Sequence, residues 1–242
     1  MRAYLDNNIF VSIEDKQIDL DILKKLSEKN VDFVYSYAHI SELFEAMDNT
    51  EVLIKKRINT ISVVTDNFYS LPVGDSIEFK KENPQNVIEI FNRYPMVFAS
   101  LRNSIKNFNP DRERLIQLLG IDKKQINNYT AIEVVRHLNT ILEKEILFDF
   151  IQMVYSAGTT LHGKICAVFN FLDFLGYWTD KRSNKSNIAR ANDASHVFFA
   201  TGCDYFVSDD RRARNKAKVA YELFKINTQV YSFEEFKKNK NL

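Results

Sequence analysis

Four carboxylates stand where apolar elements begin or end, and a fifth lies within a helical run. In Asn192 to Asp210, NDASHVFFATGCDYFVSDD, Asp193 opens an apolar helical run, and the short strand Tyr205-Phe206-Val207 ends in Asp209 and Asp210. Asp6 follows the apolar run Ala3-Tyr4-Leu5, and Glu42 lies in the helical pattern of Ile40 to Met47. A carboxylate at the margin of a core is costly unless something pairs it. Several brought together repel one another unless protonated or bound to a cation. Oxygen-only ligands with open positions suit Mg²⁺ or Mn²⁺. Such an ion activates water and stabilises the leaving oxygen in an in-line attack on phosphate. The acids predict a divalent-metal site and phosphodiester chemistry.

The elements that must position these acids are legible at both ends of the chain. Ala3 to Leu5 reads as a strand, Ile18 to Ser27 as a helix, Asp32 to Tyr37 as a strand and Ile40 to Met47 as a helix. Alternating strand and helix implies an α/β fold with a parallel sheet. The same character resumes at Ile188, with the strand at Tyr205, a basic helix from Arg211 to Phe224, a strand from Gln229 to Tyr231 and a short closing helix. Between these ends the spacing of apolar residues predicts helices over Asn86 to Asn107, Arg112 to Leu119, Ala131 to Phe150 and Leu161 to Leu175. Phe68 to Glu78, with Pro72 and Gly74, reads as an irregular connector, and Thr179 to Asn187 as a surface loop. Parallel sheets put their sites at the carboxyl ends of strands. Asp6 and the Asp209-Asp210 pair stand at two such ends, and Glu42 and Asp193 lie on adjoining helices.

These motifs, in this order, resemble those of the PIN-domain nucleases. YLDNNIF is similar to that family's first strand, with Asp6, a variable residue at Asn7 and a small polar residue at Asn8. HISELFE resembles the segment carrying the family's glutamate, which falls on Glu42. Asp193-Ala194 and Ser208-Asp209-Asp210 match its later motifs, which makes Asp210 the ligand and Asp209 the variable position. The resemblance implies a PIN-like three-layer frame from about 1–50 and 188–242, with 51–187 a mainly helical insertion. It further implies a ribonuclease using Mg²⁺ or Mn²⁺ held by Asp6, Glu42, Asp193 and Asp210. Asn8 and Ser208 would orient those acids. Asp209 would cap the helix that follows, and Glu45, on the face of Glu42, would support it. Small bacterial members often act as toxins, so RNA, an inhibitory antitoxin protein and a second copy of the chain are the expected partners.

Plainer roles exist for each group. Asp6 is a good turn or cap residue, Glu42 an ordinary helix acid, and Asp193 a good N-cap. Arg211, Arg212 and Arg214 follow Asp210, while Arg182, Lys185 and Arg190 precede Asp193. Both sets suit phosphate-backbone binding, or else a solvated face. His39, His137, His162 and His196 lack ligand spacing and read as non-metal. GTTLHGK, Gly158 to Lys164, begins like a phosphate loop, but Ile165 stands where its Ser or Thr belongs.

Composition sets the outer bounds. The chain of 242 residues is 45% apolar, enough for a substantial core and too apolar for disorder. Six Gly and four Pro argue against an all-β chain. The net charge of +1 leaves any basic surface local. Cys166 and Cys203 have neither metal nor disulfide spacing, and MRAYLDNNIF lacks a signal pattern. A cytoplasmic protein without a membrane span is expected. Two other functions compete: a non-catalytic binding module on the same frame, and a haloacid-dehalogenase-type phosphatase. The phosphatase needs an acid two residues after Asp6, where Asn8 stands.

Overall fold

The fold follows from a computed structural model, which describes residues 1–44, 50–93, 117, 120, 122, 125–142, 160–179 and 184–239. The chain forms two compact units. The first comprises Met1–Phe98, Phe199–Arg214 and Asn227–Leu242, and the second Ala99–Phe198 and Asn215–Ile226.

The first unit is α/β. Its strands are β1 (Arg2–Leu5), β2 (Asp32–Ser36), β3 (Phe68–Val73), β4 (Ser76–Lys81), β5 (Tyr205–Val207) and β6 (Gln229–Tyr231), in the order β4-β3-β2-β1-β5-β6. All neighbours pair in parallel except β3 with β4. β1 is central. The chain leaves it toward β2 on one side and reaches β5 on the other, so the strand order reverses between β1 and β5. Leu5 pairs with Val207 there, which aligns the two carboxyl ends.

The apolar runs that mark β1, β2 and β5 are those of strands buried on both faces. Ala3, Leu5, Phe33, Tyr35, Tyr205 and Val207 join one core cluster, while Tyr4, Val34 and Phe206 alternate with them and are also buried. The cluster takes residues from α1 (Asn7–Glu14), α2 (Leu20–Glu28), α3 (Tyr37–Leu43), α4 (Glu51–Thr65), α5 (Pro84–Arg93) and α10 (Phe233–Lys237). Local signals set several helix starts. Asp19 caps α2, Thr50 caps α4, and Asn83 accepts from Gln85 just before α5, with Pro84 at the first helical position.

The second unit is helical among its described residues. It contains the short 3₁₀ turn Ile126–Asn128, α6 (Ala131–Leu142), α7 (Leu161–Leu175), most of α8 (Asn184–Ala200) and the later part of α9 (Arg211–Phe224). Asp173 lies buried between Lys216 and Arg190, with an oxygen to each. Among the described residues no helix is long and apolar enough to cross a membrane.

Three readings of the sequence need correction. Phe68 to Glu78 is no irregular connector, because it holds all of β3 and half of β4. Pro72 lies beyond the part of β3 that pairs with β2, so its missing N–H removes no bond on that side. Gly74, at φ +62°, makes the turn. The sheet is therefore mixed, with an antiparallel edge. The loop expected over Thr179 to Asn187 gives way to helix at Asn184, since a polar first turn is ordinary in a helix whose apolar residues come later. Asp193 thus lies inside α8, not at its start. The helix expected over Arg112 to Leu119, and the 94–107 and 143–150 parts of two longer ones, fall wholly or largely outside the described residues.

Two stability tests follow. A Cβ on Gly202 would sit 2.7 Å from Ile77 Cβ on β4. Gly202→Ala should therefore destabilise by about 1–3 kcal/mol, read from urea unfolding. In the second unit His162 packs on Phe198 and approaches Ser195 Oγ at 3.2 Å. Burial holds its imidazole below the ordinary value of 6.5. The neutral ring is the folded form, so this site's stability is intact above about pH 6.5 and is lost as the pH falls below it. His162→Gln should flatten that part of the pH–stability curve.

Candidate functional site

The site is built at the point where the strand order reverses, the usual place for ligands in open parallel sheets. The Asp6 N–H continues the β1–β5 ladder to Val207 O at 2.8 Å. Its side chain caps α1, with Oδ1 accepting from Asn7 N at 2.7 Å. Oδ2 accepts from Asn8 Nδ2 and from Ser208 Oγ, both at 2.6 Å. Asp6 is buried, and these three donors are all neutral.

Ser208 closes the same network from β5. Its hydroxyl donates to Asp6 and accepts from Asn8 Nδ2 at 3.0 Å and Asp210 N at 3.1 Å, which uses its one proton and both lone pairs. Asn8 Oδ1 accepts from Asp209 N at 3.0 Å, so one amide ties the end of β1 to the end of β5. The Arg214 guanidinium donates to the Ser208 carbonyl at 2.6 Å. Asp6 and Asp210 are thereby held about one serine hydroxyl.

Asp210, rather than Asp209, caps the next helix. Its Oδ1 accepts from Arg212 N at 2.7 Å and Ala213 N at 3.3 Å. An N-cap stands directly before the first helical residue and receives the second and third N–H groups. With α9 starting at Arg211, that residue is Asp210. Asp209 Oδ1 instead accepts from Phe233 N at 2.9 Å, at the start of α10.

Glu42 reaches the network through α3. Ser36 caps that helix in a capping box in which His39 replaces the usual Glu or Gln. His39 Nδ1 accepts the Ser36 N–H at 3.0 Å, so Nε2 carries the proton and donates to Leu5 O at 2.7 Å. Tyr4 and Ser36 share a buried hydroxyl–hydroxyl bond of 2.6 Å. Burial raises the Tyr4 phenol well above its usual value, and the charges of Asp6 and Glu42 raise it further. Tyr4 is therefore a neutral hydroxyl beside two carboxylates. Asn7 Nδ2 donates to Glu42 Oε2, while the Asn7 N–H serves Asp6.

Asp6, Glu42 and Asp210 are thus linked through Asn7, Asn8 and Ser208. Asp193 lies partly buried within α8 in the second unit. Glu45 and Arg182 lie outside the described residues, as does the Lys185 side chain. Arg190 bonds Asp173 and Asn170 and is committed to the fold of its unit. Arg211 and Arg212 are exposed in the first turn of α9. His39 and His196 are fully buried, and His137 stacks on Tyr129. In the phosphate-loop-like segment, Thr160 caps α7, Gly163 and Lys164 are helical, and Ile165 is buried.

The carboxylates of Asp6, Glu42 and Asp210 fit a hard divalent cation in kind, while the Ser208 hydroxyl, with its proton and both lone pairs engaged, can only orient them. Among the described residues, no three Asp, Glu, His or Cys side chains are gathered into a ready metal-holding group. Sequence reasoning missed Tyr4, Ser36 and His39, together with Asn7, Glu14 and Arg57. The only local signal was a serine three residues before His39, and histidine is not the residue a capping box normally uses.

Searches against protein-family models, curated proteins and solved structures find no match to this chain.

The cap assignment is open to a direct test. Asp210→Ala should lose about 1 kcal/mol in chemical unfolding, whereas Asp210→Asn, which keeps the Oδ1 acceptor, should stay close to wild type.

Proposed function

We propose that the protein is a divalent-metal-dependent ribonuclease on a PIN-like fold. The observation that carries this reading is the joining of Asp6 and Asp210 through Ser208 at the reversal of strand order, with Glu42 joined to Asp6 through Asn7. Asp6, Glu42 and Asp210 would hold Mg²⁺ or Mn²⁺, and Asp193 is the fourth acid the resemblance supplies. A bound ion supplies an activated water and charge stabilisation at the phosphate. Asn8 and Ser208 keep Asp6 oriented. Arg211 and Arg212, exposed just after Asp210, are suited to hold the nucleic-acid backbone. The choice of RNA, a toxin-like role and restraint by an inhibitor protein rest on the family resemblance alone.

A non-catalytic binding module on the same frame is the second reading. The absence of a ready metal-holding group among the described residues favours it.

Cleavage of labelled single-stranded RNA and DNA in Mn²⁺ separates the two. Wild type should cut RNA, and Asp6→Asn or Asp210→Asn should abolish the Mn²⁺-dependent cleavage. Circular dichroism should show both variants folded, with a modest fall in Tm for Asp6→Asn, whose amide replaces one acceptor oxygen. Cleavage that survives both substitutions sinks the nuclease assignment. RNA binding without cleavage by wild type supports the binding module.

A further inference from the structure

A second hydrogen-bonded chain approaches Glu42 from a part of the sequence that carries no family motif. Glu14 and Asn7 are seven residues apart on α1, two turns of one face. Arg57, on α4, reaches both. Its Nε and Nη2 engage the two carboxylate oxygens of Glu14, the latter at 3.1 Å, and Nη1 donates to Asn7 Oδ1 at 2.7 Å. Asn7 Nδ2 then donates to Glu42 Oε2. The Glu14 and Arg57 side chains are only 8% and 12% exposed, so the pair is largely withdrawn from water.

Each link determines the next. The bidentate grip of Glu14 fixes the plane of the guanidinium. A charged donor on Oδ1 settles which way the Asn7 amide faces, which leaves its NH₂ for Glu42. Glu42 stands near the end of a seven-residue helix, where a long side chain otherwise samples several rotamers. Glu14 balances Arg57, and the group that this arm sets on Glu42 is a neutral amide.

We propose that Asn7 and Arg57 are positioning residues for the Glu42 carboxylate, with Glu14 as the anchor of the arm. This rests on the metal-site reading of Glu42 above. The position that resembles a variable one in the first-strand motif is, in this chain, the last link of a relay that begins two turns away.

The test is Mn²⁺ binding to the full chain by titration calorimetry. The proteins are wild type, Asn7→Ala, Arg57→Gln and Glu42→Gln, with each of the first two substitutions also made in the Glu42→Gln background. Asn7→Ala and Arg57→Gln should each weaken Mn²⁺ binding by about 10–100-fold, and should add nothing once Glu42 is Gln. Arg57→Gln leaves Glu14 buried without its partner and is the variant most prone to unfold. Asn7→Ala removes only the final link, and the result with it alone decides. Unchanged affinity in Asn7→Ala, or an equal loss in both backgrounds, overturns the relay while the metal site stands. Wild type that takes up no Mn²⁺ overturns the metal site and the relay together.

Discussion

The parallel pairing of β1 with β5, in the register that sets Leu5 against Val207, is the constraint on which the site depends. It brings residue 6 and residue 208 side by side across about 200 residues of chain. Once that register is set, Asp6 N bonds Val207 O, Ser208 Oγ bonds Asp6 Oδ2, and Asn8 spans the gap between the strand ends. Because side chains alternate along a strand, a slip of one residue would exchange the two differently packed faces, setting Tyr4 where Leu5 packs, and carry Asp6 off the rim. The apolar packing that fixes the register therefore also fixes the acids.

A second constraint is the demand for satisfied polar groups. Asp6, Ser36, His39 and Ser208 are all buried. A typical hydrogen bond adds only about 0.5–1.5 kcal/mol net, but a buried group left unpaired costs about 1–3 kcal/mol. The network is held together by that asymmetry. His39 joins the start of α3 to Leu5, next to Asp6, so the helix carrying Glu42 is tied to the strand carrying Asp6. On the other side, the relay through Asn7 ties Glu42 to α1 and α4. Several of these side chains also cap helices, as Asp6, Ser36 and Asp210 do. Cap and site roles are compatible for Asp210, since the cap uses Oδ1.

Much of the α/β frame was legible because its signals are local. The continuous apolar runs of β1, β2 and β5, the three- and four-residue spacing in α7 and the basic run of α9 stand out in the sequence alone. The β3–β4 hairpin was not legible. Pro72 and Gly74 are breaker residues, and only the short length of β2 beside them shows that a strand tolerates Pro72. The capping exchange between Asp209 and Asp210 was missed for a related reason. It hinges on the first helical residue after the strand, and a boundary uncertain by one residue reverses the two roles.

The sequence by itself determined which residues are acids, which runs are apolar and the order of β1, β2, β5 and β6, because residue type and periodicity act over a few neighbours. That was enough to mark Asp6, Glu42, Asp193 and Asp210, with Asn8 and Ser208, as an expected group. Tertiary structure decided how Asp6, Glu42 and Asp210 connect: through one serine hydroxyl, two asparagine amides and an arginine from another helix. Those links join residues 6, 42, 57 and 208, and no local periodicity encodes a hydrogen bond across such separations. They exist only because packing of the sheet brings the donors within reach.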